Sequence, residues 1–264
     1  MILFFAGADN SKFIDILEKC NVKNILISFY WTKNSENLKK IADRFNVFVD
    51  SGGYTARKMG VNIDVKRYGE FLKKNKDRIF MAANLDVYDL NIALENQKYL
   101  QQFYPIIPVF HYSEYANKRQ DLLDEFCKNN QYIAVGGIAG MNIDTKSVIN
   151  FLNFCFRTTI KYKTKVHGFG ITALKYLVEY PFYSVDSTSW LTGGQYGQLL
   201  KWDSKNFDME TSIHYSDKDS FLKHNFNINL IESYKGRLIH NVGELLKCEK
   251  EITRLWEERG ILYE

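Results

Sequence analysis

Six short segments place reactive or ligand-facing residues directly after apolar runs. Asp50 closes the run in VFVDSGGYT, Asp86 lies in AANLDVYD, and Asp186 lies in YSVDSTSW. His111 follows PVF, the pair Gly136 and Gly137 follows AV, and His167 with Gly168 opens HGFG. Three carboxylates supply what acid–base or nucleophilic chemistry at carbon requires. Paired glycines let the backbone approach a flat ligand closely, and Tyr54, just past Gly52 and Gly53, is placed to stack on a planar ring. Each feature also admits a plainer reading: a strand-end aspartate as a helix cap or turn residue, a double glycine as a positive-φ turn, a histidine as a satisfied core or rim group. The cap reading suits Asp89, whereas Asp50 and Asp86 follow strands without immediately preceding a helical run. Neither His111 nor His167 has a second histidine at ligand spacing. Cys20, Cys127, Cys155 and Cys248 lie far apart, so no metal site or disulfide scaffold is expected.

Positioning these residues falls to a repetitive pattern. Strand-length runs rich in Val, Ile, Phe and Tyr recur at Ile2 to Gly7, Asn24 to Phe29, Val47 to Asp50, Ile79 to Leu85, Ile106 to Phe110, Tyr132 to Val135, Lys165 to Phe169 and Phe182 to Val185. Helical spacing fills the gaps, at Ser11 to Cys20, Ser35 to Phe45, Val65 to Lys76, Leu90 to Phe103, Tyr115 to Lys128, Thr145 to Phe156 and Thr172 to Glu179. Eight alternating units predict an α/β fold, a (β/α)8 TIM barrel spanning residues 1–190, whose strand ends converge on one mouth. An open doubly wound sheet would need a phosphate-loop glycine motif after its first strand, and Gly7-Ala8-Asp9-Asn10 is not one. Residues 191–264 read as an extension packed on the barrel: an irregular Trp190 to Ser216 stretch, then helical spacing from about Asp217 to Glu258.

With 264 residues, 45% apolar and 25% charged, the chain is globular, and disorder is excluded. The net charge of +4 permits a phosphate-bearing partner without requiring one. Met1 to Ala8 is too short for a signal segment or membrane span, so the expectation is a cytoplasmic protein without a membrane partner. Lys33, Arg57, Lys58 and Lys201 are candidates for flanking phosphates. Trp190 and Trp202 sit among basic residues as either a tail packing contact or part of a nucleic-acid groove.

In order and spacing, DSGGYT, the aspartate of NLDVYD, VGGIAG, HGFG and the aspartate of SVDSTSW resemble the tRNA-guanine transglycosylases, over roughly Val47 to Trp190. That family consists of (β/α)8 barrels that exchange guanine in a polynucleotide for a 7-deazaguanine base. Three positions depart from it. No CxCxxC and His zinc subdomain follows the last strand, Thr55 stands where glutamine is expected, and His167 stands where methionine is common. The zinc-free form with YT is similar to the phage-type enzymes that place 7-deazaguanines in DNA.

The resemblance implies a division of roles. Asp186 would be the nucleophile that holds the sugar, and Asp50 the acid and then the base. Asp86 would accept the N1–H and 2-amino donors of guanine. Gly136, Gly137, Tyr54, His111, His167 and Gly168 would contact the base, and Arg57, Lys58, Lys33, Lys201 and Trp190 the polynucleotide. The implied partners are DNA, with tRNA as the alternative, and a free 7-deazaguanine base. Because the glycosidic bond energy is kept in a covalent intermediate, no nucleoside triphosphate, redox cofactor or catalytic metal is required. A noncatalytic nucleic-acid-binding partner subunit is the reading from another class, and monomer and homodimer both stay open. A phage-encoded chain would work in the host cytoplasm.

Overall fold

The computed structural model describes residues 1–8, 11–32, 35–85, 87, 89–217, 224, 226–227 and 231–263. The predicted alternation is present: β1 (Ile2–Ala6), α1 (Ser11–Lys19), β2 (Asn24–Ser28), α2 (Ser35–Ala42), β3 (Asn46–Asp50), α3 (Gly53–Lys58), α4 (Val65–Lys74), β4 (Met81–Ala83) and α5 (Leu90–Leu100). It continues through β5 (Ile106–Ile107), β6 (Val109–His111), α6 (Tyr112–Ala116), α7 (Gln120–Asn129), β7 (Tyr132–Gly136), α8 (Thr145–Tyr162), β8 (Lys165–Gly168), α9 (Leu174–Glu179) and β9 (Ser184–Ser187). Asp89 caps α5 as expected, its carboxylate accepting from Asn91 N and Ile92 N.

All nine segments pair in parallel, in the order β5-β4-β3-β2-β1-β9-β8-β7-β6. The two ends of that order are one chain. The single strand expected at Ile106 to Phe110 is split at Pro108, which has no N–H to give a ladder. Its carbonyl instead accepts from Ala134 N at 2.8 Å, so β5 bonds to β4, β6 bonds to β7, and the proline joins them into an eight-strand ring. The one helix expected over Tyr115 to Lys128 is likewise two, broken where Lys118 adopts a positive φ of 61°.

Each strand is buried on both faces, which explains its near-continuous apolar run. Outward residues such as Ile25, Ile27, Val47 and Val49 pack against helices in the main core. Inward residues Phe4, Leu26, Phe48, Met81, Ile107 and Ala134 fill the barrel, so it is a packed core with no pore.

The stretch expected to be irregular is ordered. It holds α10 (Ser189–Gln195) and an antiparallel hairpin of β10 (Gln198–Asp203) and β11 (Asp208–His214), followed by the 25-residue α11 (Tyr234–Glu258). Helix α11 joins the barrel itself. Glu249 Oε1 accepts from Leu3 N of β1 at 2.7 Å, and Trp256 Nε1 donates to Leu177 O of α9 at 2.8 Å. It therefore stands in the eighth helical position, and residues on both sides of 190 share one core, in keeping with the reading of 191–264 as an extension packed on the barrel within a single domain. The hairpin is fixed to α11 by Asn241, which bonds Leu200 N and Gln198 O, and by Glu244, which accepts from Trp202 N.

Candidate functional site

The strand register sends Ser28, Asp50, His111, Gly136, Phe169 and Asp186 to the mouth side of the barrel interior. Phe48 lies one inward step below Asp50 on β3, and His167 is the cross-strand neighbour of Ser184, one inward step below Asp186. The rings of Phe48 and His167 touch across the interior at 4.8 Å between centroids. Asp50 and Asp186 thus cap the same stack from two sides.

Asp50 also serves the turn that follows it. Its Oδ2 accepts from Gly52 N at 3.0 Å, and Ser51 Oγ accepts from Gly53 N at 3.2 Å, launching α3 only three residues after the strand. The expectation that no helical run stands close behind Asp50 is corrected: the turn role and a mouth-facing carboxylate coexist in one side chain. Gly52 is required here, with φ at 79° and a position where a Cβ would fall 2.2 Å from Ser28 Oγ.

Asp186 is nearly enclosed, its side chain 13% exposed. Its Oδ1 accepts from Gly170 N at 2.9 Å and lies 3.4 Å from His167 Nε2; Oδ2 has no bond among the described residues. Gly170, in the left-handed region at φ 62°, escaped the sequence reading although HGFG contains it. His167 is fully buried, enclosed by the rings of Phe4, Phe48 and Phe169. Burial holds its imidazole below the ordinary value of 6.5, against the pull of Asp186, so it is neutral near pH 7.

Several expected contacts are corrected by these positions. His167 cannot reach a base at the mouth because it lies beneath the aromatic layer. Gly168 faces the helices, where a Cβ would meet the Phe182 ring at 2.8 Å; it is a packing glycine. Trp190 is fully buried, donates Nε1–H to Ala6 O at 3.0 Å and packs on Phe5 and Phe13, which excludes it from a nucleic-acid surface. Lys201 lies on β10 with its ammonium 6.0 Å from the Phe226 ring centre. Asp86 and Lys33 fall outside the described residues.

Other expected residues do gather at the mouth. Gly136 and Gly137 pack on His111, with Gly137 at φ 77°. His111 N donates to Glu114 Oε2, so this histidine also caps α6. Tyr54 is exposed and crosses the mouth from the β3 side, its hydroxyl beside Gly140 in the loop after β7. Lys58 Nζ stands 4.6 Å over its ring, and Arg57 follows on the same helix. Two exposed residues that sequence reasoning missed, Trp31 after β2 and Met141 after β7, extend this apolar rim. Met141 shows in the sequence as a large apolar residue inside a polar loop, whereas Trp31 continues the aromatic run Phe29-Tyr30 that follows the second strand. Among the described residues, no group of three potential metal ligands occurs, and no helix is long and apolar enough to cross a membrane.

This geometry defines a (β/α)8 barrel with a carboxylate-bearing mouth. Over 93% of this chain and 97% of the other, it superposes on an aspartate-to-asparagine mutant of the tryptophan synthase α-subunit from Pyrococcus furiosus, with a TM-score of 0.53 and 13% sequence identity. That likeness is one of fold alone. In sequence the chain is similar to "Uncharacterized protein 306" of Sulfolobus islandicus rod-shaped virus 1, 27% identical over 189 residues, or 68% of this chain. The match spans 60% of the viral protein's length. No family model matches the chain.

Proposed function

We propose that this protein exchanges guanine in DNA for a 7-deazaguanine base through a covalent glycosyl–Asp186 intermediate. The observation that carries the reading is the state of Asp186: an inward carboxylate at a strand end, anchored through Oδ1 and, among the described residues, unbonded at Oδ2. Oδ2 would attack C1′ as the bond from C1′ to the base breaks, with Asp50 giving its proton to the departing guanine. The incoming base then gives its N9 proton to Asp50, bonds C1′ and releases the Asp186 carboxylate. Asp86 is assigned to the Watson–Crick edge of guanine by the motif resemblance.

Support for a polynucleotide comes from the rim. Tyr54 and Trp31 offer faces for unstacked bases, and Arg57 and Lys58 offer charge for flanking phosphates. A base must leave its stack to enter such a mouth, so the target is extruded or single-stranded.

The test is incubation with radiolabelled guanine and either duplex DNA or unmodified tRNA. Label entering DNA is the expected result. Uptake by tRNA alone moves the substrate to tRNA, and binding without uptake into either polymer favours the noncatalytic partner subunit.

A further inference from the structure

Behind Asp186 runs a line of polar groups that the transglycosylase chemistry does not itself call for. His167 Nδ1 is 2.5 Å from Ser184 Oγ, and Ser184 Oγ in turn bonds the hydroxyl of Tyr132. His167 and Ser184 are both fully buried inside the barrel. Together with the contact to Asp186 and the Gly170 amide, the line extends from the mouth down through the interior to the start of β7.

Proton counting fixes its direction. A neutral imidazole carries one N–H, and the serine and tyrosine hydroxyls carry one proton each. Burial raises the Tyr132 phenol far above its usual range, so that proton stays in place. If the imidazole proton were on Nδ1, a bare Nε2 lone pair would face the carboxylate, a repulsive arrangement in a dry interior. With the proton on Nε2, Tyr132 donates to Ser184, Ser184 donates to Nδ1, and the buried Nε2–H, which forms no hydrogen bond in the structure, has Oδ1 3.4 Å away as the acceptor it faces.

We propose that His167 is a positioning residue for Asp186, its Nε2–H and the Gly170 amide both holding Oδ1, so that Oδ2 alone is presented to the anomeric carbon. Ser184 and Tyr132 fix the imidazole tautomer from beneath. The inference rests on the transglycosylase reading for its consequence and on the interior geometry for its substance. No proton leaves the line during exchange. Oδ2 gains and then loses its bond to C1′, Asp50 handles the base proton, and His167 keeps its own. The proposal requires this 3.4 Å contact to close into a hydrogen bond when a ligand fills the mouth, as is common for hydrogen bonds that act in a reaction.

Two measurements on the full chain decide it. In histidine-15N spectra at pH 7, with His167 assigned by its loss in His167→Gln, the expected signal is a neutral imidazole protonated at Nε2 that moves in Asp186→Asn. A proton on Nδ1, or a signal indifferent to Asp186→Asn, overturns the proposal. In the exchange assay, His167→Gln keeps a donor at the Nε2 position and stays within about tenfold of wild type. His167→Met, of similar bulk without a donor, loses about 10- to 100-fold in turnover at unchanged polymer affinity. Equal losses in the two variants also overturn it. Ser184→Ala, a smaller change, serves if His167→Met does not fold, and its expected spectrum shows mixed tautomers; an unmixed Nε2–H form there removes Ser184 from the line. A wild-type protein that exchanges no base in either polymer defeats the functional reading alone, because the spectra still report whether the histidine is tied to Asp186.

Discussion

At the scale of single residues, an ester-forming carboxylate leaves a distinctive trace. Asp186→Ala should abolish any denaturation-resistant protein–DNA adduct and lower exchange by about 10³ or more, as gel electrophoresis and label uptake would report. Asp50→Asn should block departure of the first base, and an unchanged exchange rate would remove Asp50 from acid–base duty. Gly52→Ala should destabilise the fold by about 1–3 kcal/mol in urea unfolding, since both its φ and the 2.2 Å approach to Ser28 Oγ resist a methyl group. The sequence made the mouth-facing aspartates visible because each ends an apolar run. It hid the partners, since only three-dimensional register reveals that Gly170 and His167 meet at Asp186 and that Gly168, between them, faces the opposite way.

Among the elements, α3 carries the most of the proposed nucleic-acid surface in the least chain. Tyr54, Arg57 and Lys58 sit within one short helix launched by the Asp50–Ser51 turn. Replacing Arg57 and Lys58 together with alanine should weaken DNA binding and reduce the slope of log affinity against log salt by about 2, measured by fluorescence anisotropy; an unaltered slope would place the phosphates elsewhere. The hairpin is the element that pattern reading missed. Its strands are held by side chains of a helix some forty residues later, Asn241 and Glu244, and Gly193 and Gly194 before it resemble loop glycines. In the structure Gly194 lies where a Cβ would meet Leu238 at 2.4 Å, so this pair serves close packing of α10 on α11. Strands buried on both faces were legible from composition; a hairpin whose backbone is satisfied by a distant helix was not.

For the molecule as a whole, the buried neutral imidazole couples stability to pH. The unfolded chain protonates His167 near 6.5, while the folded chain holds it neutral to lower pH. Below 6.5 the unfolded state therefore binds more protons, so the contribution intact above that value is lost as pH falls, by at most about 1.4 kcal/mol per pH unit. Urea midpoints at pH 7.5 and 5.5 should converge in His167→Gln relative to wild type; parallel behaviour of the two proteins would show that another group governs the acid limb.

The union of β1 with α11 bears on how the barrel is made. The bond from Leu3 to Glu249 spans 246 residues, and the outward face of the first strand is sealed by a helix that leaves the ribosome only after all nine parallel strands. During vectorial synthesis the nascent chain must hold helices α1 to α10 and an unsheltered seam until α11 arrives. Closing this seam is consequently a late, long-range event, and termination ahead of residue 234 would leave a product with every barrel strand but with the apolar outer face of β1 uncovered and adhesive.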